Sequence, residues 1–328
     1  MAETILEVKN LVRHFKHRYG AVHAVDDVSF TINAGETLGI VGESGCGKTT
    51  TGRCILRLVE PSSGEIIFEG RNISKLSKKE MNHSRKDMQI IFQDPYSSLN
   101  PRHTVFEIIA EPIRHQNIMP GATNAEIENR VVELMETVGL AERLINTYPH
   151  ELDGGRRQRI GIARALAVEP KFIVCDEPVS ALDVSIQAQI LNLLKELQRD
   201  RGLTYIFITH DLAVVNHFAD NILVMYLGLA VEKAPAEELF ENPLHPYTKA
   251  LLSAVLIPEV GANTGRIELH GEISSPIDPP DECRFAKRCN YFCDECKKGT
   301  PPLVEVAPNH FIACHRVSNG KNTMSAQG

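Results

Sequence analysis

The chain has 328 residues, with 35 lysines and arginines against 42 aspartates and glutamates, so its formal charge at pH 7 is −7. This length suits one large domain or a domain with an appendage. The acidic balance argues against a nucleic-acid partner, because phosphates bind clustered basic residues. The polar opening MAETILEVKN is unlike a signal peptide, and no run approaches the roughly 20 apolar residues of a spanning helix. We therefore expect a soluble cytoplasmic protein with reduced thiols.

Apolar runs of strand length recur along the chain and alternate with stretches of helical periodicity. Strands are predicted over 28–32, 37–41, 65–69, 88–92, 172–176, 204–209 and 221–226. Helices are predicted over 47–58, 155–168 and 184–199. Because continuous apolar strands are buried on both faces, this alternation predicts an α/β fold built on a central sheet.

Between Gln93 and Leu152 the pattern changes to helical periodicity with little strand signal. It predicts a helical subdomain over 93–154, inserted into a sheet core formed by 1–92 and 155–235. After Pro235 the chain becomes rich in proline and cysteine, and we expect an irregular C-terminal extension over 236–328. Its last residues, about ten, are expected to be disordered.

The stretch GESGCGKTT, at 42–50, has the spacing of a phosphate-binding loop. It follows the apolar run TLGIV and opens a predicted helix, so backbone N–H groups and the helix N-terminus would face phosphate oxygens. Lys48 is expected to reach the β- and γ-phosphates, and the Thr49 hydroxyl to bind Mg²⁺. The other loop residues expected at the nucleotide are Gly42, Glu43, Ser44, Gly45, Cys46, Gly47 and Thr50.

The stretch FIVCDEP places Asp176 and Glu177 at the C-terminal end of a predicted buried strand, where α/β sheets bind ligands. Asp176 is expected in the Mg²⁺ shell. Glu177 is expected to orient and polarise the attacking water as a general base. Combined with the phosphate loop, the two acids predict a nucleotide hydrolase.

Three further stretches narrow this prediction: ELDGGRRQRIGIARALAVEP at 151–170, SALD at 180–183 and ITHD at 208–211. With Gln93 in IIFQDPYSSLNP, their order and spacing resemble the ATP-binding-cassette family of ATPases over residues 5–255. The resemblance implies a RecA-like nucleotide-binding core with an inserted helical subdomain. It also implies a head-to-tail dimer that holds two ATP molecules, each between a phosphate loop and the partner's signature stretch.

The same resemblance implies individual roles. His210 is similar to the switch histidine that contacts the γ-phosphate, and Asp183 to the residue that communicates across the dimer. Gln93 resembles the glutamine that reaches Mg²⁺ and links the site to the helical subdomain. Tyr19 stands where the family usually places an aromatic ring on the adenine, with Phe15 as the alternative.

The signature departs from the family's usual Leu-Ser-Gly-Gly-Gln, because this chain reads Leu152, Asp153, Gly154, Gly155, Arg156. Asp153 suits the N-cap of the following helix, yet it turns a carboxylate towards the triphosphate held by the partner, which is costly. Arg156 could offset that charge by pairing with Asp153 or by reaching the phosphate. A neutral or engineered change is the alternative.

The stretches FQDPYSSLNPR (92–102), PVSALDVSIQAQILNLL (178–194) and NPLHPYTKALL (242–252), with the cysteine-rich tail, resemble the ATPase subunits of oligopeptide/dipeptide importers. This resemblance implies an ATPase that powers peptide import from the cytoplasmic face of the inner membrane. The expected partners are a second ATPase subunit, two transmembrane permease subunits and, indirectly, an extracytoplasmic peptide-binding protein.

Two other classes of protein fit these features less well. A cassette ATPase acting on nucleic acid or the ribosome usually carries two cassettes, a coiled-coil insertion or basic patches, whereas this chain has one cassette and an acidic balance. A stand-alone metal-binding regulator would have no use for Lys48, Asp176 and Glu177 together.

Four cysteines keep the spacing of the importer family's tail: Cys283, Cys289, Cys296 and Cys314. Four thiolates suit a [4Fe–4S] cluster or tetrahedral zinc. Pairs formed with Cys293 would favour zinc, but the wider spacing of the other four and the resemblance favour the cluster. We expect a structural [4Fe–4S] cluster, because the proline-rich tail has too few apolar residues to fold without a cross-link. Cys293 is expected to be a free thiol.

Overall fold

The computed structural model describes residues 3–254, 267–269, 271–272 and 274–318. The chain divides into two compact units. The terminal unit comprises Thr4–Ile32, Thr37–Ser74 and Thr209–Gly328. The middle unit comprises Lys75–Ile208 with the short stretches Met1–Glu3 and Asn33–Glu36. Within the described ranges, no helix is both long enough and apolar enough to cross a membrane.

Strands and helices both occur in each half of the described chain and are numbered in sequence order. The strands are β1 (Thr4–His17), β2 (Gly20–Asn33), β3 (Thr37–Val41), β4 (Ser63–Phe68), β5 (Arg71–Asn72), β6 (Met88–Ile91), β7 (Phe172–Asp176), β8 (Thr204–Ile208), β9 (Asn221–Tyr226), β10 (Leu229–Pro235), β11 (Val304–Ala307) and β12 (His310–Ile312). The helices are α1 (Lys48–Ile55), α2 (Lys78–Ser84), α3 (Val105–His115), α4 (Asn124–Thr137), α5 (Gly154–Leu166), α6 (Val184–Arg201), α7 (Leu212–Phe218), α8 (Ala236–Glu241), α9 (Pro246–Ser253) and α10 (His315–Ser318). Short 3₁₀ helices lie at Glu142–Leu144, Pro149–Glu151, Ala286–Arg288 and Asp294–Lys297.

The terminal unit contains a four-stranded sheet in the order β2-β1-β4-β5. β1 and β4 are antiparallel, with Leu6 opposite Phe68 and Val8 opposite Ile66. Successive side chains of a strand point to opposite faces, so these four apolar side chains are buried on one face. The sequence interpretation did not include β1, because charged residues interrupt its apolar alternation.

The terminal unit also contributes a mixed series of strands in the order β11-β12-β10-β9-β3. β3 and β9 are parallel, with Val41 opposite Val224. β9 and β10 form an antiparallel hairpin. β12 continues the series by pairing Ile312 with Glu232 of β10.

Regular structure continues after Pro235, so the expectation of an irregular extension is wrong for α8, α9, β11 and β12. β12 has only three residues, too few for an alternating pattern to be recognised in sequence. Its pairing with β10 defines it as a strand. The expected disorder of the last residues concerns 319–328, which lie outside the described residues.

The middle unit contains three parallel strands in the order β8-β7-β6. Phe172 lies opposite Thr204, and Ile91 lies opposite Cys175. Every residue of β7 and β8 is buried, as the continuous apolar runs predict.

Between Gln93 and Leu152, the middle unit is helical and without strands, as predicted. α3 and α4 each begin with a capping box, Thr104 with Glu107 and Thr123 with Glu126, which satisfies free N–H groups of the first turn. α3 packs on both α4 and α5. The predicted bounds of the helical subdomain, 93–154, remain a prediction, because the middle unit extends from Lys75 to Ile208.

Candidate functional site

The loop over 42–47 joins the buried strand β3 to α1 in the terminal unit. Gly42 has φ +149°, and a Cβ there would lie 2.2 Å from the carbonyl oxygen of Met225. Gly47 has φ +108°, and its Cβ would lie 2.2 Å from the carbonyl oxygen of Ala24. Backbone conformation and space therefore both require glycine at the two ends of this loop.

Lys48 folds back onto this loop and is only 5% exposed. Its Nζ donates to the carbonyl oxygens of Gly42, at 2.8 Å, and Glu43, at 3.0 Å. Carbonyl oxygens orient an ammonium without neutralising it, so the positive charge remains for an anion. Ser44, Gly45 and Cys46 lie in the loop itself, and Thr49 and Thr50 lie in the first turn of α1. Burial raises the pKa of the Cys46 thiol.

Tyr19 lies in the two-residue turn between β1 and β2, and its side chain is 68% exposed. The guanidinium carbon of Arg18 lies 4.3 Å from the centre of its ring. The alternative, Phe15, lies within β1 with the Arg13 guanidinium 4.3 Å from its ring centre. Tyr19 thus has the exposure that stacking on a base requires.

The two predicted acids lie at the end of β7 in the middle unit. Asp176 is the last strand residue and is 1% exposed. Glu177 follows with φ +47°, and its N–H donates to the carbonyl oxygen of Ile208 at 2.9 Å. A left-handed backbone at a residue other than glycine is strained, and such strain clusters at functional sites.

Gln93 and Glu177 are brought into direct contact in the middle unit. Nε2 of Gln93 donates to Oε2 of Glu177 at 2.8 Å. The sequence interpretation assigned Gln93 to Mg²⁺ and Glu177 to water without anticipating this hydrogen bond.

His210 follows β8 and is exposed. The N–H of the preceding residue, Thr209, donates to the carbonyl oxygen of Ile40 at 3.2 Å. His210 therefore belongs to the terminal unit, on a segment beside the strand that leads into the phosphate loop. Asp211 then caps α7 by accepting from the N–H of Ala213.

The altered signature begins α5. Asp153 is the N-cap and accepts from the N–H of Arg156 at 2.8 Å. Nε of Arg156 lies 3.5 Å from the same carboxylate, and the two side chains are 50% and 60% exposed, so this pair adds little stability. Pairing with Asp153 is one of the two ways in which the sequence analysis expects Arg156 to offset the charge of that carboxylate. A cavity of about 330 Å³ lies beside this ion pair and is lined in part by Arg159 and Gln189.

The signature glycines allow α5 to approach the start of α6. A Cβ on Gly155 would lie 2.7 Å from Ile186, and one on Gly154 would lie 3.1 Å from Leu182. Asp183 is the N-cap residue of α6 and is exposed.

The cysteine segment, residues 283–296, lies in the terminal unit with Cys314, and its thiols interact with one another. Sγ of Cys293 lies 3.4 Å from Sγ of Cys296. A hydrogen bond from the Cys283 thiol lowers the pKa of Cys296 to about 5. Burial raises the pKa of Cys289 to about 11 and also raises the pKa of Cys314, and the charge of Cys296 contributes to both shifts.

Cys293 and Cys296 are close enough to share a metal ion, but a third thiol of the described residues is not. In the described part of the chain, no three of them lie within 4.8 Å of one another. The five described thiols therefore interact with one another, but no three of them are close enough to share one metal ion at the spacing of 4.8 Å.

Two residues at the phosphate loop were missed by sequence reasoning. Arg288 and Tyr247 both contact Glu43, from more than 200 positions away. Tyr247 lies in the distinctive HPYT stretch, which was the one available signal. Nothing in the sequence marked Arg288.

Comparison with known families gives two matches in this chain. The family described as ABC transporter matches residues 25–180. The family described as oligopeptide/dipeptide transporter, C-terminal region, matches residues 231–296.

Individual relatives match over nearly their whole length. The oligopeptide transport ATP-binding protein OppF of Haemophilus influenzae is 52% identical, over 96% of this chain and 98% of its own. The oligopeptide transport ATP-binding protein AppF of Bacillus subtilis is 50% identical, with the same coverage.

Solved structures match the cassette portion. A dimeric ATP-binding cassette bound to ADP and Pi is 31% identical, with a TM-score of 0.65 over 71% of this chain and 99% of its own. The protein cbiO1 of Clostridium perfringens, part of an ABC transporter complex, is 31% identical, with a TM-score of 0.64 over 73% of this chain and 92% of its own.

The α/β fold, the glycine-bounded loop around Lys48 and these matches define an ATPase of the ATP-binding-cassette class. The identity to peptide-transport ATPases over nearly the full length then identifies the group within that class. The chain belongs to the family of ATP-binding subunits of oligopeptide/dipeptide transporters, the ATPases that power peptide import.

Proposed function

We propose that Lys48, Glu177 and His210 are the catalytic residues of ATP hydrolysis in this chain, and that residues 42–50 hold the triphosphate. The observation that carries the proposal is the buried Lys48 ammonium, held on two loop carbonyls with its charge uncompensated by them. Loop N–H groups and this charge suit the β- and γ-phosphates. His210 contacts the γ-phosphate, and Tyr19 stacks on the adenine.

Glu177 polarises the attacking water. Its carboxylate accepts the Gln93 amide at 2.8 Å, which restricts its orientation before ATP arrives. A general base works only when its oxygen lies within hydrogen-bond reach of the water. Gln93 therefore positions the base.

Three oxygen donors suit Mg²⁺, which prefers hard oxygen ligands: the Thr49 hydroxyl, the Gln93 amide and the Asp176 carboxylate. Because Nε2 of Gln93 donates to Glu177, its Oε1 is the atom that faces away for a cation. Bound Mg²⁺ neutralises charge on the β- and γ-phosphates.

The signature residues 153–156 act on the nucleotide held by a partner ATPase, and Asp183 communicates across the dimer. They supply helix N-termini at α5 and α6, and such ends favour phosphate. A second, different ATPase subunit is the proposed partner, in a head-to-tail dimer.

The dimer works at the cytoplasmic face of the inner membrane, beneath two permease subunits supplied by an extracytoplasmic peptide-binding protein. The proposed domains are a RecA-like core (1–92 and 155–235), a helical subdomain (93–154) and a C-terminal extension (236–328).

The C-terminal thiols bind a structural [4Fe–4S] cluster through Cys283, Cys289, Cys296 and Cys314. Tetrahedral zinc at the usual Zn–S distance would need thiolates about 3.8 Å apart, and no three described thiols meet even 4.8 Å. A cubane binds each thiolate at a different iron, so its ligands stand farther apart. The low pKa of Cys296 favours its thiolate, the form in which it would ligate iron.

The test is co-purification of the tagged chain with its membrane complex, followed by mass identification of the second ATPase. The wild-type complex should hydrolyse ATP, and a Lys48→Ala complex should lose nucleotide binding. Recovery of the chain with ribosomes or nucleic acid, and without multi-span membrane proteins, would reject the importer assignment.

A further inference from the structure

The cysteine segment of the terminal unit is tied to the phosphate loop by a two-point ion pair. Nη1 of Arg288 lies 2.7 Å from Oε2 of Glu43, and Nη2 lies 3.0 Å from Oε1. Arg288 is 9% exposed. A bidentate guanidinium–carboxylate pair fixes both position and orientation, so the Glu43 side chain has little freedom.

The backbone of Glu43 is held as well. Its N–H donates to the hydroxyl oxygen of Tyr247 at 2.8 Å, and Tyr247 is fully buried. The hydroxyl of Tyr226 lies 3.4 Å from Nη1 of Arg288. The side chain and the main chain of Glu43 are thus both held by residues that lie beyond position 225 in the sequence.

The fold of the cysteine segment determines where Arg288 lies. The N–H of Arg288 donates to the carbonyl oxygen of Phe285 at 2.9 Å, and the N–H of Cys283 donates to the carbonyl oxygen of Cys296 at 2.9 Å. The Phe285 ring packs edge-on against Tyr226, with ring centres 5.3 Å apart. Anything that unfolds the segment 283–296 therefore releases the guanidinium from the loop.

Glu43 also brings a negative charge into a loop that receives a polyanion. Lys48 donates to the carbonyl oxygen of this same residue, so carboxylate and ammonium share one short stretch. An unpaired carboxylate there would repel phosphate oxygens, since a partly buried site screens charges poorly.

We propose that Arg288 is a positioning residue for nucleoside triphosphate binding: it neutralises Glu43 and, with Tyr247, holds the phosphate loop in its binding shape. The cysteine segment thereby controls ATP affinity through the chain's own side chains. The inference rests on the proposed function of the loop as the triphosphate site.

The test uses the full chain in its purified complex and titrates a fluorescent ATP analogue. Arg288→Met should weaken binding about tenfold, because truncating one partner of a buried pair leaves the other charge uncompensated. The double variant Glu43→Gln/Arg288→Met should recover to within about threefold of wild type, since it removes that charge too. Lys287→Met is the matched control, because Lys287 is the exposed neighbour.

Rescue by Glu43→Gln distinguishes positioning from simple loss of folding, which a second loop substitution would not reverse. Equal affinity of Arg288→Met and Lys287→Met would overturn the proposal, as would a double variant no better than Arg288→Met. If Arg288→Met does not fold, Tyr247→Phe removes only the hydroxyl bonded to Glu43 and should weaken binding about threefold; unchanged affinity would overturn the proposal equally.

A Lys48→Ala reference separates this inference from the proposed function. Loss of binding in Lys48→Ala with normal binding in Arg288→Met would reject the positioning role alone. Normal binding in Lys48→Ala would reject the loop as the triphosphate site.

Discussion

Gln93 donates its side-chain amide to the carboxylate of Glu177 across 84 positions of sequence. The amide has a donor and an acceptor end. One end can therefore orient the base while the other remains for a cation, so Gln93 has a contact with the base that the sequence analysis did not include.

Replacing Glu177 by glutamine should abolish hydrolysis and preserve ATP binding. The substitution keeps the shape and removes the base, and general-base catalysis contributes about 10²–10⁴-fold. Phosphate release and equilibrium ATP titration measure the two effects separately. Hydrolysis at the wild-type rate would mean that another group activates the water.

Gln93→Glu should slow hydrolysis at neutral pH and make the rate rise with pH. Two carboxylates at hydrogen-bond distance share a proton, because both cannot ionise readily. The base is then protonated in much of the enzyme until the pH is raised. Gln93→Ala is the matched control: it should slow hydrolysis without a new pH dependence, and parallel pH–rate profiles for the two variants would contradict the shared proton.

The sequence predicted the elements whose signal is local. β3, β7, β8 and β9 are continuous apolar runs, and the glycines of the phosphate loop have the spacing of a short local motif. The structure adds what depends on distant partners. β12 exists because β10 lies beside it, and Arg288 reaches Glu43 because Phe285 packs on Tyr226. The pattern of residues in a short stretch of sequence does not show which distant residues will contact it in the fold.

Restoring the usual signature should strengthen ATP-driven dimerisation. Asp153→Ser/Arg156→Gln removes a carboxylate from the surface that faces the partner's triphosphate, while serine still caps α5. The expected result is a larger dimer fraction with ATP, measured by light scattering in a Glu177→Gln background.

Asp153→Ala provides the control for the cap. It removes the same charge but also the acceptor for the N–H of Arg156, so it should lower the free energy of unfolding by about 1 kcal/mol. If neither variant dimerises better than the Asp153 form, the carboxylate does not oppose the partner's nucleotide.

Anaerobically purified protein should be brown and should lose its iron in Cys289→Ser but keep it in Cys293→Ser. Cys289 is a proposed cluster ligand, whereas Cys293 is not, although it lies 3.4 Å from Cys296. Iron and sulfide analysis with visible absorption provides the measurement. Colourless protein with one zinc would reject the cluster. Loss of metal in Cys293→Ser but not in Cys289→Ser would overturn the ligand assignment instead.

Two buried histidines near Glu232, His310 and His245, should make the stability of the fold depend on pH in opposite directions. Nε2 of His310 lies 2.8 Å from Oε1 of Glu232, and its Nδ1 lies 3.5 Å from Glu238. Burial acts to lower the pKa of His310, but hydrogen bonds to Glu232 and Glu238 and their charges outweigh it and raise the pKa. His310 therefore stabilises the fold below its ordinary pKa of 6.5, and this stabilisation is lost as the pH rises through the higher folded value.

His245 should have the opposite effect, because burial lowers its pKa from 6.5 to about 4, despite the opposing charge of Glu232. Its Nδ1 accepts the N–H of Tyr247 at 3.1 Å and caps α9, which requires an unprotonated nitrogen. Below pH 6.5 His245 binds a proton in the unfolded chain, but in the folded chain it stays neutral until the pH approaches 4. The free energy of unfolding should therefore fall as the pH drops from 6.5 towards 4.

The substitution His245→Asn keeps a capping side chain and removes the titrating group. The difference in unfolding free energy between variant and wild type, measured by urea denaturation at successive pH values, should shift in favour of the variant as the pH falls from 6.5 towards 4. His310→Gln is the matched control: its cost should be greatest below pH 6.5 and should shrink as the pH rises. A pH-independent difference for His245→Asn would show that His245 is not held neutral in the folded protein.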